Sequence, residues 1–233
     1  MTHSTIDRAW RSAAFRLQRY ASNADRHVLA RQLEKLNLQG VRDIHTWTSA
    51  AELEALYRLA AGAPEGANIV ELGSYLGAST CYLAAGASLV DGRVTAIDLW
   101  NNETIAGGER DTFADFQRNT AGASHLIKMV RKRTQDLTPA DVCPPIDLGF
   151  IDADHSYEAT KADAAFLAPL IAPDGVMAFH DTTVFVGVGR ALAELLLTGD
   201  WCIYGQAENL TWIRRSTWSP WPPQGNGATA SGT

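Results

Sequence analysis

Asn68-Ile69-Val70-Glu71-Leu72-Gly73-Ser74-Tyr75-Leu76-Gly77-Ala78-Ser79-Thr80 is the stretch on which the fold turns. Its first five residues are a short apolar run stopped by a glycine, the pattern of a buried strand. Ser79 to Ala87 is small and apolar, the pattern of a closely packed helix. The same alternation repeats downstream. Arg93–Asp98, Leu126–Val130, Ile146–Ile151 and Gly175–Phe179 read as strands, with helices expected at Thr112–Thr120, Tyr157–Leu170 and Val188–Leu197. Strands that alternate with helices give a doubly wound, mostly parallel sheet. Trp201–Tyr204 and Leu210–Arg214 are too closely spaced for a crossover helix, so they pair antiparallel and make one edge strand run backwards. The fold class is therefore α/β, with a seven-stranded sheet.

Upstream, Ile6, Trp10, Ala13, Leu17, Tyr20, Ala24 and Val28 recur at helical spacing, continued by Leu29, Leu33 and Leu36, with Gly40 as a stop. Residues 1–45 form an N-terminal helical arm that caps the site or builds a homodimer. Ser49 or Thr48 then caps a helix, with Glu52 in capping-box position. Downstream, residues 216–233 are rich in Ser, Pro, Gly and Thr and read as a disordered tail carrying Trp218 and Trp221.

Composition removes several classes. The 233 residues are 46% hydrophobic and 20% charged, ordinary for a globular protein. The longest apolar run, Ala164–Pro173, is half of what a membrane span needs. Cys81, Cys143 and Cys202 are odd in number and lack any C-x-x-C pattern, so they read as reduced thiols in the cytoplasm. No secretory h-region follows the N-terminal arginines. The net charge of −6 combines a basic arm with an acidic body. That body repels a phosphate backbone, so neither nucleic acid nor a membrane is an expected partner.

In a doubly wound sheet, ligands bind at the carboxyl ends of the strands. Gly73 and Gly77 would let backbone approach a ligand, and Asp98, at the next strand end, can accept ribose hydroxyls. The spacing is G-x-x-x-G, not the G-x-G-x-x-G of a dinucleotide turn. Glu71, two residues before the first glycine, would repel phosphate and suit an amino group or a positive charge. These residues favour S-adenosylmethionine over NAD, and resemble the class I S-adenosylmethionine-dependent methyltransferases over about residues 46–215. The resemblance implies that the loop Glu71, Gly73, Ser74, Tyr75, Gly77, Ser79 wraps the methionine part of the cofactor. It gives Asp98 and Leu99 the ribose side, and places Thr134 near adenine.

A second constellation follows two later strands, Ile151-Asp152-Ala153-Asp154-His155-Ser156-Tyr157 and Phe179-His180-Asp181-Thr182. Parallel neighbours would bring Asp152, Asp154, His155, His180 and Asp181 to one rim, and clustered like charges need a proton or cation among them. An alkyl hydroxyl has a pKa of ~15.7 and histidine of ~6.5, a gap of roughly 12 kcal/mol. The proton must therefore leave as the methyl transfers, or a divalent cation must first acidify the hydroxyl. The I-D-A-D-H and F-H-D-T segments resemble the O-methyltransferases related to macrolide-sugar and cephalosporin-tailoring enzymes. That resemblance implies Asp152 and Asp181 as metal ligands and His155 as base. Asp152 also borders the cofactor. His180 stands where those relatives carry a carboxylate and joins the metal set. Magnesium is the expected ion, with manganese the alternative, since imidazole suits manganese, iron or zinc better.

The acceptor is expected to be a small-molecule hydroxyl, a saccharide before others. Asn101–Asp111 reads as a lid, and Trp100 and Tyr75 as aromatics beside the cofactor. No [DN]-P-P-[YF] segment of amino-group methylation is present. A tailoring oxygenase on the same fold and a non-catalytic binding protein are the competing readings.

Overall fold

The computed structural model describes residues 26–101 and 110–216. The amphipathic pattern before residue 26, most of the expected lid, and Trp218 and Trp221 lie outside them. Seven strands form one sheet: β1 (Asn68–Leu72), β2 (Arg93–Asp98), β3 (Ile127–Arg131), β4 (Ile146–Ile151), β5 (Ile171–Phe179), β6 (Trp201–Ala207) and β7 (Leu210–Arg215). Their order is β3-β2-β1-β4-β5-β7-β6, with the first five mutually parallel. β7 pairs antiparallel with both β5 and β6. The reversed strand thus lies one place in from the edge, not at the edge as the sequence suggested. The hairpin folds back to insert its second strand beside β5, which buries Ile213 on the core.

The helices are α1 (residues 26–35), α2 (Ala50–Ala61), α3 (Ala78–Ala87), α4 (Phe113–Thr120), α5 (Pro139–Val142), α6 (Tyr157–Leu167) and α7 (Val186–Leu197). α1 stops before Gly40 because Asn37 takes a left-handed conformation (φ 54°) and the Leu38 N–H bonds back to the Leu33 carbonyl. α6 ends at Leu167 and a 3-10 turn carries the chain through Pro169, whose ring forbids another helical turn.

Alternation along the strands sends side chains to two cores. Ile69, Val94, Ala96, Leu148 and Phe150 pack with α2 and α3, and with Leu29, Leu33, Leu36 and Val41 from the chain before α2. Val70, Leu72, Ile97, Ile151, Met177 and Phe179 pack beneath α6 and α7. The described residues before α2 are therefore built into the body. No helix among the described residues is long and apolar enough to cross a membrane.

The strand order reverses between β1 and β4, where open α/β sheets bind ligands. There Leu72 pairs with Ile151, and Ile151 with Phe179. The ladder continues past the strand ends: Asp152 N–H donates to the Leu72 carbonyl (2.8 Å) and His180 N–H to that of Ile151 (3.0 Å). Gly73, Asp152 and His180 consequently leave the sheet at one level.

Candidate active site

Two cavities open at this level. One, of about 170 Å³, is lined by Gly73, Tyr75, Asp98, Leu99, Thr134 and Asp152, among others. The second, of about 320 Å³, is walled by His45, Trp47, Tyr75, Val184 and Phe185 over a floor of Ser74, Ser79, Asp152, His155, His180 and Asp181. Gly73, Tyr75, Asp152 and Ala153 border both, so the cavities meet over the end of β4.

The first cavity suits a nucleoside ligand. Asp98 is pinned by three backbone donors: Ser74 N–H (2.9 Å) and Tyr75 N–H (2.8 Å) on Oδ2, and Trp100 N–H (2.6 Å) on Oδ1. A carboxylate offers about four acceptor positions, which leaves room for a ribose hydroxyl. Thr134 is held from behind by Asp163, a buried carboxyl on α6. Burial lifts Asp163 to about 6 against the lowering effect of the Thr134 hydrogen bond.

Two expected cofactor contacts are corrected. Glu71 lines neither cavity: it is fully buried, pointing from β1 to the N-terminus of α3. Its carboxylate accepts hydrogen bonds from the hydroxyls of Ser74 (2.8 Å), Ser79 (2.5 Å) and Thr80 (2.5 Å). It fastens the loop to the helix, and the positive end of the helix dipole favours its charge. Gly77 also lines neither cavity. It caps α3 at φ 89°, and a Cβ there would come within 2.7 Å of Thr120 Cγ2 and 3.1 Å of the Phe116 ring. Gly77 is therefore fixed by packing on α4. Trp100 is core as well, packed at a tilt against Phe113 and Phe116 and fully buried.

Glu71 has a measurable signature. Burial raises its pKa from 4.5 to about 7, against the pull of its three hydroxyl donors. The folded state thus favours the protonated form, and that contribution is complete below pH 4.5 and is lost as pH rises through about 7. Glu71→Gln should remove it. The stability difference between wild type and variant, followed by chemical denaturation across this window, should change by about 3 kcal/mol. A flat difference would show that the carboxylate is not desolvated.

At the second cavity the sequence-predicted ionisable groups do come together. Asp152, His155 and Asp181 offer ligand atoms that lie within 4.8 Å of one another. His155 Nε2 is 3.3 Å from Asp181 Oδ2 and 3.6 Å from Asp152 Oδ1, and its ring stacks on Phe185 at 4.3 Å. His180 Nδ1 is 3.1 Å from Asp152 Oδ1 and 3.4 Å from Asp181 Oδ2. Asp181 reaches this position through a left-handed backbone (φ 58°), a conformation Asp tolerates. Asp154 turns away: it borders the first cavity and accepts from the Ser156 N–H at the start of α6.

The charges shift one another. Contact with Asp152 raises His155 against the effect of its burial. Burial alone would lower His180, but Asp152 and Asp181 outweigh it and lift the imidazole to about 11. Burial would raise Asp152, yet the two histidines hold it below the usual carboxylate range. Neither His155 Nε2 nor His180 Nδ1, both buried atoms, has a hydrogen-bond partner, although carboxylate oxygens lie within reach. Two carboxylates and one such nitrogen around one point are a donor set that fits a divalent cation, and leave the second imidazole free for another role.

Sequence reading missed the walls. His45, Trp47, Val184 and Phe185 sit in irregular segments where periodicity is silent, and only the exposed indole and phenyl rings signal them. Glu52 was read only as a cap, yet its carboxylate also lies 3.3 Å from His180 Nε2.

The comparisons agree with this fold. A family model described as methyltransferase domain matches residues 70–182, from within β1 to just past the rim. The fold is a methyltransferase fold. The O-methyltransferase NovP superposes with a TM-score of 0.56 at 15% identity, covering 74% of this chain and 82% of that one. CalS11, a TDP-rhamnose 3'-O-methyltransferase of calicheamicin biosynthesis, gives 0.50 at 17% identity, covering 81% and 93%. Two rRNA methylases, one of them putative, also match, at TM-scores of 0.53 and 0.52 and 16% and 12% identity. The uncharacterized protein y4gI of Sinorhizobium fredii is 32% identical over 138 residues, or 54% of this chain. The chain spans only 15% of the length of that curated relative. Family match and solved neighbours together thus make the chain similar to methyltransferases over residues 70–182 and in its overall fold.

Proposed function

We propose that the chain transfers a methyl group from S-adenosylmethionine to a hydroxyl of a small molecule, a saccharide or glycosylated metabolite before others. The observation that carries this reading is that the two cavities meet at Asp152 and Tyr75, while His155 borders only the second. Donor and acceptor then approach one another over the end of β4, with an imidazole on the acceptor's side.

S-adenosylmethionine supplies an electrophilic methyl on sulfur, and transfer depends on an oxygen aligned behind it. Asp98 orients the ribose, Thr134 borders the base, and the loop fastened by Glu71 sets the position of the methionine end. His155 Nε2 takes the hydroxyl proton, with Phe185 stacked on the ring to hold its orientation. Asp152, Asp181 and His180 would hold a divalent cation, which acidifies a bound hydroxyl. Trp47 and Tyr75, 5.2 Å apart between ring centres, give the acceptor an aromatic face that also displaces water. The acidic body argues against an RNA acceptor. A homodimer acting in the cytoplasm completes the proposal.

Methyl transfer from labelled donor to a panel of saccharides, phenols and RNA, with and without added cation, tests this reading. Products on saccharides are expected. Trp47 is 56% exposed at the mouth of the cavity, so Trp47→Ala should raise the acceptor KM roughly tenfold, the ~1.4 kcal/mol of a lost aromatic contact. The affinity for S-adenosylhomocysteine should stay as it was. Transfer to RNA or to amino groups alone would overturn the proposal.

A further inference from the structure

Glu52 closes the capping box of α2, but its carboxylate is shared among three elements. One oxygen accepts the Asn209 N–H from the β6–β7 turn (2.8 Å). The other accepts the Ser49 N–H (2.7 Å) and lies 3.3 Å from His180 Nε2. Glu52 is 1% exposed and His180 3%, so this contact is closed to water.

Each Glu52 oxygen already accepts a backbone N–H, so the carboxyl faces His180 as an acceptor and the proton between them is assigned to His180 Nε2. In the neutral ring this selects the tautomer with Nδ1, the atom turned to the rim, free to ligate; in the charged ring a cation would have to displace the Nδ1 proton. Nδ1 is buried and has no hydrogen-bond partner, although Asp152 Oδ1 and Asp181 Oδ2 are 3.1 and 3.4 Å away. It lies within reach of both oxygens. Ligands at the ~2.0–2.2 Å of a transition-metal bond sit roughly 3.0–3.5 Å apart, the spacing seen here. A ligating histidine whose other ring N–H donates to a carboxylate is the usual support for a metal–imidazole bond.

We propose that Glu52 orients His180 as a nitrogen ligand, and that this makes the rim a mixed nitrogen–oxygen site selecting manganese, cobalt or zinc over magnesium. The inference rests on the cation invoked under the proposed function. His155 stays on the acceptor side, and Glu52 is a positioning residue that never meets the ion. A magnesium site would use oxygen donors throughout, whereas among the described residues the clustered ligand atoms are the carboxylates of Asp152 and Asp181 with His155, and His180 Nδ1 lies 3.1 and 3.4 Å from those same two carboxylates.

The test is calorimetric titration of the cation-free full chain with cobalt(II), manganese(II) and magnesium chlorides, with proton NMR of the cobalt form. Cobalt should bind at least about 100-fold tighter than magnesium. The cobalt form should show one strongly shifted, slowly exchanging proton, the His180 Nε2–H shielded by Glu52. His155→Gln should keep that resonance. His180→Asp should abolish it and shrink the cobalt preference at least about tenfold, and Glu52→Gln should weaken cobalt by about 10–100-fold. Absence of the resonance from the cobalt-titrated wild type, or no cation binding at all, overturns the proposal without recourse to any variant. A preference unchanged by His180→Asp does so as well. Affinity for S-adenosylhomocysteine in EDTA is measured alongside. If it persists while cobalt fails, only the inference falls; if it is absent, the function falls too.

Discussion

His155→Gln is expected to lower kcat by about 10²–10⁴-fold, the range for loss of a general base, and to leave cofactor affinity unchanged. The two halves have separate grounds. The ring borders only the acceptor cavity, so nothing that holds the nucleoside is touched. Its Nε2 stands 3.3 Å from Asp181 and 3.6 Å from Asp152, and these carboxylates raise its proton affinity. Glutamine preserves much of the bulk that packs on Phe185. It cannot take up a proton near neutral pH. A kcat within threefold of wild type, in a folded variant that still binds S-adenosylhomocysteine, would mean that the proton leaves by another route.

The second large effect falls on stability. Gly73→Ala should cost about 2–5 kcal/mol, the sum of left-handed strain and overpacking. Gly73 lies at φ 87°, where a Cβ is disfavoured. The Cβ would also press into the backbone of Asp152, against its carbonyl oxygen and carbon and the following Ala153 Cα. No side chain can swing aside to relieve that contact. The ends of β1 and β4 would have to separate at the level where the two cavities meet, so cofactor binding should fall along with stability. Chemical denaturation reads the first effect and calorimetry the second. A loss below about 1 kcal/mol would show that the two strand ends part easily.

The sheet was legible because buried parallel strands leave a strong mark: Asn68–Leu72, Arg93–Asp98 and Ile146–Ile151 were bounded correctly by apolar runs and their flanking turns. β5 begins at Ile171, four residues before the expected Gly175, because Pro173 and Asp174 break the apolar pattern within a strand whose pairing with β4 is irregular. β6 runs on to Ala207 past its expected end, and its exposed Ile203 and Tyr204 show how weakly an edge strand is patterned. For the site, Asp98, Asp152, His155, His180 and Asp181 could be placed because residues at strand ends inherit their position from the sheet. Residues that act through tertiary contact could not be. Glu71 looked like a ligand and proved to be a fastener, since its partners Ser79 and Thr80 lie on the next helix. Glu52 looked like a cap and proved also to face His180, 128 positions away.

The central claim is that the first cavity holds S-adenosylmethionine, and calorimetric titration with S-adenosylhomocysteine in EDTA tests it most directly. The account predicts one site per chain, bound without added cation, and weakened at least about tenfold by Asp98→Ala, the ~1.4 kcal/mol or more of a charge-assisted hydrogen bond. No heat of binding in EDTA or in excess divalent cation, from folded protein, would contradict it.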